Sequence, residues 1–145
     1  MSRISLIRKI RLVDWMATHA VADLFQRCYT IELSPELHRR TQIRLSHLSH
    51  VTCIRGESGA ELPRILAHVD ESALFWLDAH ASGGQTADAG FDPILRELDA
   101  IYRHPVKRHV ILIDDARGHA EAIWKCVPPH YRATVRNDIV RIVPV

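Results

Sequence analysis

The pattern of apolar and polar residues along the chain predicts strands and helices in alternation. Four short apolar runs, rich in β-branched and aromatic residues, are typical of buried strands, and they cover residues 28–33, 51–56, 73–80 and 109–115. Segments with apolar residues at helical spacing follow them, and they cover residues 35–45, 58–69, 92–104 and 120–127. Because the strands are continuously apolar, they need helices on both faces of a parallel sheet, so we predict a three-layer α/β sandwich.

Both ends of the chain modify this scheme. Residues 131–145 predict two strands that turn at Asn137 and Asp138, so an antiparallel hairpin ends the sheet. The basic, acid-free start has some character of a transit peptide, but a short strand or a frayed terminus fits it better. Residues 16–25 then predict a helix. We expect one domain over residues 1–145.

Composition narrows the classes of function. The chain has 145 residues, is 47% hydrophobic and carries a formal net charge of +2. Without a cluster of like charges we expect no nucleic-acid partner, and without an apolar run of about 18 residues we expect no membrane span. Cys28, Cys53 and Cys126 form no CxxC pair, which indicates free thiols in a reducing compartment and predicts a cytoplasmic protein.

Acidic residues follow every inner strand. These acids, with one histidine among them, are Glu32, Glu57, Asp78, His80, Asp114 and Asp115. Ligands of open α/β sheets bind beyond the carboxyl ends of the strands, where these residues are expected. Any one acid is equally well explained as a helix N-cap. Five acids in one crevice, however, would repel each other unless a cation or a ligand rich in hydrogen-bond donors lay among them.

His80 and the glycine-rich segment after it add a second candidate feature. An imidazole with an unperturbed pKa suits proton removal near neutrality, so His80 is either a general base or a solvated side chain. Residues 81–90 have the composition of a mobile lid or substrate loop. Trp76, within the preceding strand, is expected in the core.

The stretches "YTIELSPELHRR", "VTCIRGESGAELPRIL", "ALFWLDAHASGGQT" and "HVILIDDAR" resemble class I S-adenosylmethionine-dependent methyltransferases, in the family's order. The likeness covers residue 23 to the end and is greatest to the branch that includes small-molecule and sugar O-methyltransferases. It implies a Rossmann-like, mostly parallel sheet, S-adenosylmethionine as cofactor and a small-molecule substrate. By this resemblance Glu32 binds the ribose hydroxyls, Glu57 and Ser58 lie at the adenine, and Asp78 faces both cofactor and substrate.

The resemblance also implies a catalytic group and a metal. Asp78 stands at the catalytic position, and His80, two residues further on, is the candidate base by its own chemistry. In metal-assisted members of the family, carboxylates at the positions of Asp78, Asp114 and Asp115 hold a divalent ion, for which Mg²⁺ is the natural choice among oxygen ligands. Such an ion would bind a substrate hydroxyl and lower its pKa.

The chain departs from the family near its start. The family's first strand leads into a glycine-rich turn that lets the backbone approach the cofactor, whereas the first glycine here is Gly56. Either residues 1–22 are truncated or divergent, or residues 4–13 supply a replacement central strand. Cofactor binding would be weakened, and a poor central strand would leave unpaired edges that a homodimer could cover. The alternatives are a non-catalytic binding or oligomerisation module and a metal-dependent hydrolase.

Overall fold

One seven-stranded sheet forms the centre of the protein in the computed structural model, which describes residues 5–9, 15–78 and 93–145. The strands are β1 (Ser5–Lys9), β2 (Arg27–Glu32), β3 (Val51–Arg55), β4 (Ala73–Asp78), β5 (Val110–Asp114), β6 (Tyr131–Arg136) and β7 (Ile139–Pro144). The helices are α1 (Trp15–Val21), α2 (Pro35–Leu45), α3 (Ser58–Leu66), α4 (Pro93–Arg103) and α5 (Ala120–Cys126). The predicted α/β sandwich is therefore confirmed, including its C-terminal hairpin.

The strand order is β3-β2-β1-β4-β5-β7-β6, in which β1 to β5 are parallel and β7 is antiparallel to both neighbours. β1 is hydrogen-bonded to β2 on one side and to β4 on the other. Residues 5–9 thus supply the central strand, and the expected unpaired edges are absent because this strand fills the centre. The expected homodimer stays a prediction.

Helices cover the sheet as two unequal layers. The main core lies between the sheet and α3, α4 and α5, and its fully buried members include Leu62, Phe75, Leu98, Ile111 and Ile123. On the other face, Ala22 and Cys28 form a smaller cluster, and α2 contacts α1, β2 and β3. Within the described residues, no helix is long and apolar enough to cross a membrane.

Local signals set the ends of the elements. The Ser34 hydroxyl accepts a hydrogen bond from the Leu37 N–H and so caps α2, in which Pro35 takes the first position. The hairpin turns at Asn137 and Asp138 with φ of 52° and 61°, as a type I′ turn requires. The turn at Asn137 and Asp138 was predicted from the sequence.

Two buried histidines link the layers at the amino end of the sheet. The Ala73 N–H donates to His109 Nδ1 (3.0 Å), so the proton of this ring lies on Nε2. His109 Nε2 then donates to His104 Nδ1 (2.9 Å), and His104 Nε2 donates to the Leu66 carbonyl (3.0 Å). The network is satisfied only when both rings are neutral. Burial, with His104 and Lys107 nearby, lowers the pKa of His109 to about 4.

Candidate functional site

Three of the predicted acids lie in one row at the carboxyl end of the parallel strands. Asp78 and Asp114 are register partners on β4 and β5. The register of β1 against both neighbours places Glu32 of β2 in the same row as Asp78 of β4, with β1 between them. With strands about 4.8 Å apart, Glu32 lies roughly 10 Å from Asp78, and Asp114 roughly 5 Å beyond it. The order of connections reverses at β1, which is where ligands of open sheets bind.

All three acids point to the same face of the sheet. Leu77 and Ile113 belong to the main core, and consecutive side chains of a strand point to opposite faces. Asp78 and Asp114 therefore lie on the side of α1 and α2, where both are half-buried. The expected convergence of acids is met by Glu32, Asp78 and Asp114.

Glu32 is held firmly at the end of β2. Its side chain is only 7% exposed, and its Oε1 accepts a hydrogen bond from the Ser34 N–H (2.8 Å). The Gly56 N–H donates to the Glu32 carbonyl (3.1 Å), which ties the end of β3 to the same point. Leu33, the next residue, is 56% exposed. A fixed carboxylate beside an exposed apolar side chain suits a ligand with adjacent hydroxyls and a flat ring.

Glu57 and Ser58 lie where α3 begins. Glu57 is the N-cap residue, and its Oε1 accepts a hydrogen bond from the Gly59 N–H (2.9 Å). The hydroxyl of Ser58 donates to Glu97, a fully buried carboxylate of α4. For Glu57 the cap interpretation is confirmed. Ser58 directs its hydroxyl towards α4, so a cofactor contact there would use its backbone.

Glu97 was missed by the sequence reasoning, although a signal exists. It falls on the buried stripe of α4, formed with Ile94, Leu98 and Ile101 at helical spacing. An acid on such a stripe must find a hydrogen-bond partner, because burying an isolated carboxylate is costly. Ser58 is that partner, and the pair joins α3 to α4.

The predicted metal site of three carboxylates is not formed. Asp115 directly follows Asp114, has a left-handed backbone (φ 53°) and is exposed, and its N–H donates to Asp114 Oδ1 (3.0 Å). The turn in the backbone directs Asp115 away from the row that holds Asp78 and Asp114. Among residues 18–78 and 93–145, no three acid, histidine or cysteine side chains form a group that could hold a metal ion. Asp78, Asp114 and Asp115, as the structure describes them, therefore do not fit the expected Mg²⁺ site.

Three further residues relevant to the candidate site are Arg117, Trp76 and His80. Arg117 pairs with Asp138 at the tip of the hairpin, and this ion pair lowers the pKa of Asp138. This contact joins the turn after β5 to the hairpin. Trp76 is half-buried on the side of α1 and α2 rather than in the main core. His80 and residues 81–90 lie outside the described residues.

The chain matches known proteins in its fold but not in its sequence. No family model matches the chain, and no curated protein matches it. Solved structures do match over its full length. A Streptococcus mutans protein assigned to the methyltransferases and crystallised with SAH has a TM-score of 0.65 at 15% identity, covering 100% of this chain and 91% of its own.

Two further structures come from different methyltransferases. An rRNA methylase of Streptococcus thermophilus has a TM-score of 0.59 at 14% identity, covering 100% of this chain and 90% of its own. The precorrin-6y C5,15-methyltransferase of Geobacter metallireducens has a TM-score of 0.63 at 14% identity, covering 99% and 80%. At such identities the likeness shows the fold, which is that of class I S-adenosylmethionine-dependent methyltransferases. It does not single out the small-molecule and sugar branch.

Proposed function

We propose that the protein is an S-adenosylmethionine-dependent methyltransferase. The observation that carries the proposal is the buried, backbone-anchored carboxylate of Glu32, which stands in one row with Asp78 across the central strand. Glu32 belongs to the half of the sheet that contains β2 and β3, and Asp78 belongs to the half that contains β4 and β5. A ligand that spans β1 would therefore meet a hydroxyl-binding acid at one end and a reactive acid at the other.

The residues present fit the adenosine end of the cofactor. Glu32 would accept hydrogen bonds from both ribose hydroxyls. Leu33 would offer an exposed apolar surface to the adenine ring, and Glu57, at the start of α3, would contact the adenine amino group. When bound, the cofactor supplies a methyl group on a positively charged sulfur.

The amino-acid end of the cofactor has fewer attachments. The sequence contains no glycine before Gly56, so no glycine-rich turn can follow β1, and the loss of a few backbone hydrogen bonds would weaken binding by several kcal/mol. This feature favours the second candidate function, a non-catalytic binding module. The two candidates differ in whether the cofactor binds at all.

The acceptor that we propose is a hydroxyl, carried by a small molecule or a sugar. Asp78, half-buried at the reacting end of the row, would orient the hydroxyl and accept its hydrogen bond. Asp114, its register partner, would contact the acceptor from β5. His80 keeps its proposed role as the base that removes the hydroxyl proton.

Binding of S-adenosylhomocysteine to the parent and to Glu32→Gln tests the proposal. Glutamine preserves an acceptor for the Ser34 N–H but removes the charge, so the fold should persist while affinity falls roughly tenfold or more, the cost of one hydrogen bond to a charged group. Glu36→Gln, which alters an exposed acid on α2, is the matched control and should bind like the parent. At ~100 times the dissociation constant, the ligand should stabilise the parent by about 2.7 kcal/mol. Absence of any thermal shift would support the non-catalytic module instead.

A further inference from the structure

Three arginines of the C-terminal hairpin share one face of the sheet. Arg132 and Arg136 lie on β6 and, being four residues apart, point to the same side. Arg141 on β7 is the register partner of Thr134, which lies midway between them on that side. None of the three arginines makes an ion pair or a side-chain hydrogen bond with another described residue. We call the surface of Arg132, Arg136 and Arg141 the arginine face.

The arginine face continues the row of acids. Ile113 pairs with Val140, so the next position places Ile139 opposite Asp114, and Ile139 in turn pairs with Arg136. Arg136 is therefore in the same row as Asp114 and on the same side, two strands or about 10 Å away. A ligand bound to the arginine face would extend directly to the candidate reacting centre.

Between the arginines and the acids the sheet is apolar and only half-buried. Leu112 pairs with Arg141 on one side and with Trp76 on the other, so all three share a row and a face. In the described part of the chain, α2 contacts β2 and β3, and the small cluster of Ala22 and Cys28 on this side contains no residue of β5, β6 or β7. The part of the sheet surface formed by β4, β5 and β7 therefore offers apolar area next to unpaired positive charge.

The spacing of the arginines defines the charge pattern of the partner. The Cα atoms of Arg132 and Arg136 are about 14 Å apart, and that of Arg141 lies about 8 Å from each. One phosphate or carboxylate cannot engage all three, whereas a chain of phosphates can. Unpaired arginines in a row are typical of surfaces that follow the phosphates of single-stranded nucleic acid.

We infer that the arginine face binds single-stranded RNA and presents a ribose hydroxyl to Asp78. As a statement about the acceptor, this rests on the proposed methyltransferase function. RNA combines a sugar hydroxyl with a row of phosphates, so it meets both the acids and the arginines. The inference departs from the expectation drawn from net charge, because charge summed over a chain says nothing about the face on which arginines meet.

Fluorescence anisotropy with a labelled single-stranded RNA of about 12 nucleotides tests the inference. The double variant Arg136→Gln/Arg141→Gln should weaken binding about tenfold, and the slope of log Kd against log salt should fall by about 1.4. The matched control is Arg96→Gln/Arg108→Gln, which removes the same charge at two exposed positions away from the face and should bind within about twofold of the parent. Thr134→Arg adds a fourth arginine and should tighten binding, with a slope steeper by about 0.7.

Three results would overturn the inference: no binding by the folded parent at about 0.1 M salt, equal weakening in both double variants, or displacement of the RNA by polyaspartate as readily as by unlabelled RNA. Circular dichroism confirms that each variant is folded. Binding of S-adenosylhomocysteine is measured in parallel. If that ligand binds and RNA does not, the inference alone fails; if RNA binds and that ligand does not, the proposed function fails while the docking surface stands.

Discussion

Acidification should destabilise the fold through the pair of buried histidines. His109 is fully buried, accepts a hydrogen bond at Nδ1 and donates one at Nε2, so a second proton on this ring would break the bond to Ala73. In the unfolded chain the imidazole titrates near its ordinary pKa of 6.5, whereas in the fold its pKa is lowered to about 4. Between these two values the unfolded state binds a proton that the folded state refuses.

The sign and the size of the effect follow from that difference. The contribution of His109 is fully present above pH 6.5, declines as the pH falls towards 4, and changes no further below it. At about 1.36 kcal/mol for each pKa unit, the free energy of unfolding should drop by roughly 3 kcal/mol across this window. For a domain of this size that is a large share of the total.

Urea denaturation at a series of pH values measures the effect, with His109→Gln as the diagnostic variant. This variant should be less stable than the parent at pH 7, but it should lose roughly 3 kcal/mol less on going from pH 6.5 to pH 4. His68→Gln, which alters an exposed histidine, should follow the parent. The reasoning is refuted if His109→Gln retains the parent's pH dependence, or if NMR titration of the parent gives His109 a pKa near 6.5.

Three further predictions concern other parts of the molecule. Ser58→Ala leaves the buried Glu97 without its hydroxyl donor and should cost about 1–3 kcal/mol in urea denaturation, whereas Ser49→Ala at an exposed position should cost little. Ser34→Ala removes the cap of α2 and should cost about 1 kcal/mol, measured in the same way. Asp78→Asn should lower kcat at least tenfold while the affinity for S-adenosylhomocysteine stays within about threefold; an unchanged kcat would remove Asp78 from the reacting end.

The elements of this fold could be predicted because their signals are local. The bounds of α2 follow from Ser34 and Pro35 at its start, and the hairpin follows from Asn137 and Asp138. Pro63 lies inside α3, which continues past it to Leu66. Its missing N–H removes a single hydrogen bond, and the buried side chains of α3 outweigh that loss.

The candidate site was predictable only in part, because register and pairing are long-range properties. The alternation of strands and helices places acids at one edge, which was sufficient for Glu32, Asp78 and Asp114. It could not show that Asp115 turns away, because that depends on a left-handed backbone at one residue. The alignment of Arg136 with Asp114 depends on pairing across β7, and no sequence pattern shows it.

The short central strand has a consequence for motion. β1 joins the half of the sheet that carries Glu32 to the half that carries Asp78, and its partners on β4 lie about 70 residues away in sequence. Transient detachment of these five residues would separate the two acids without unfolding either half. A molecule that contacts both halves opposes this detachment, so amide hydrogen exchange should slow most in β1 when such a molecule binds.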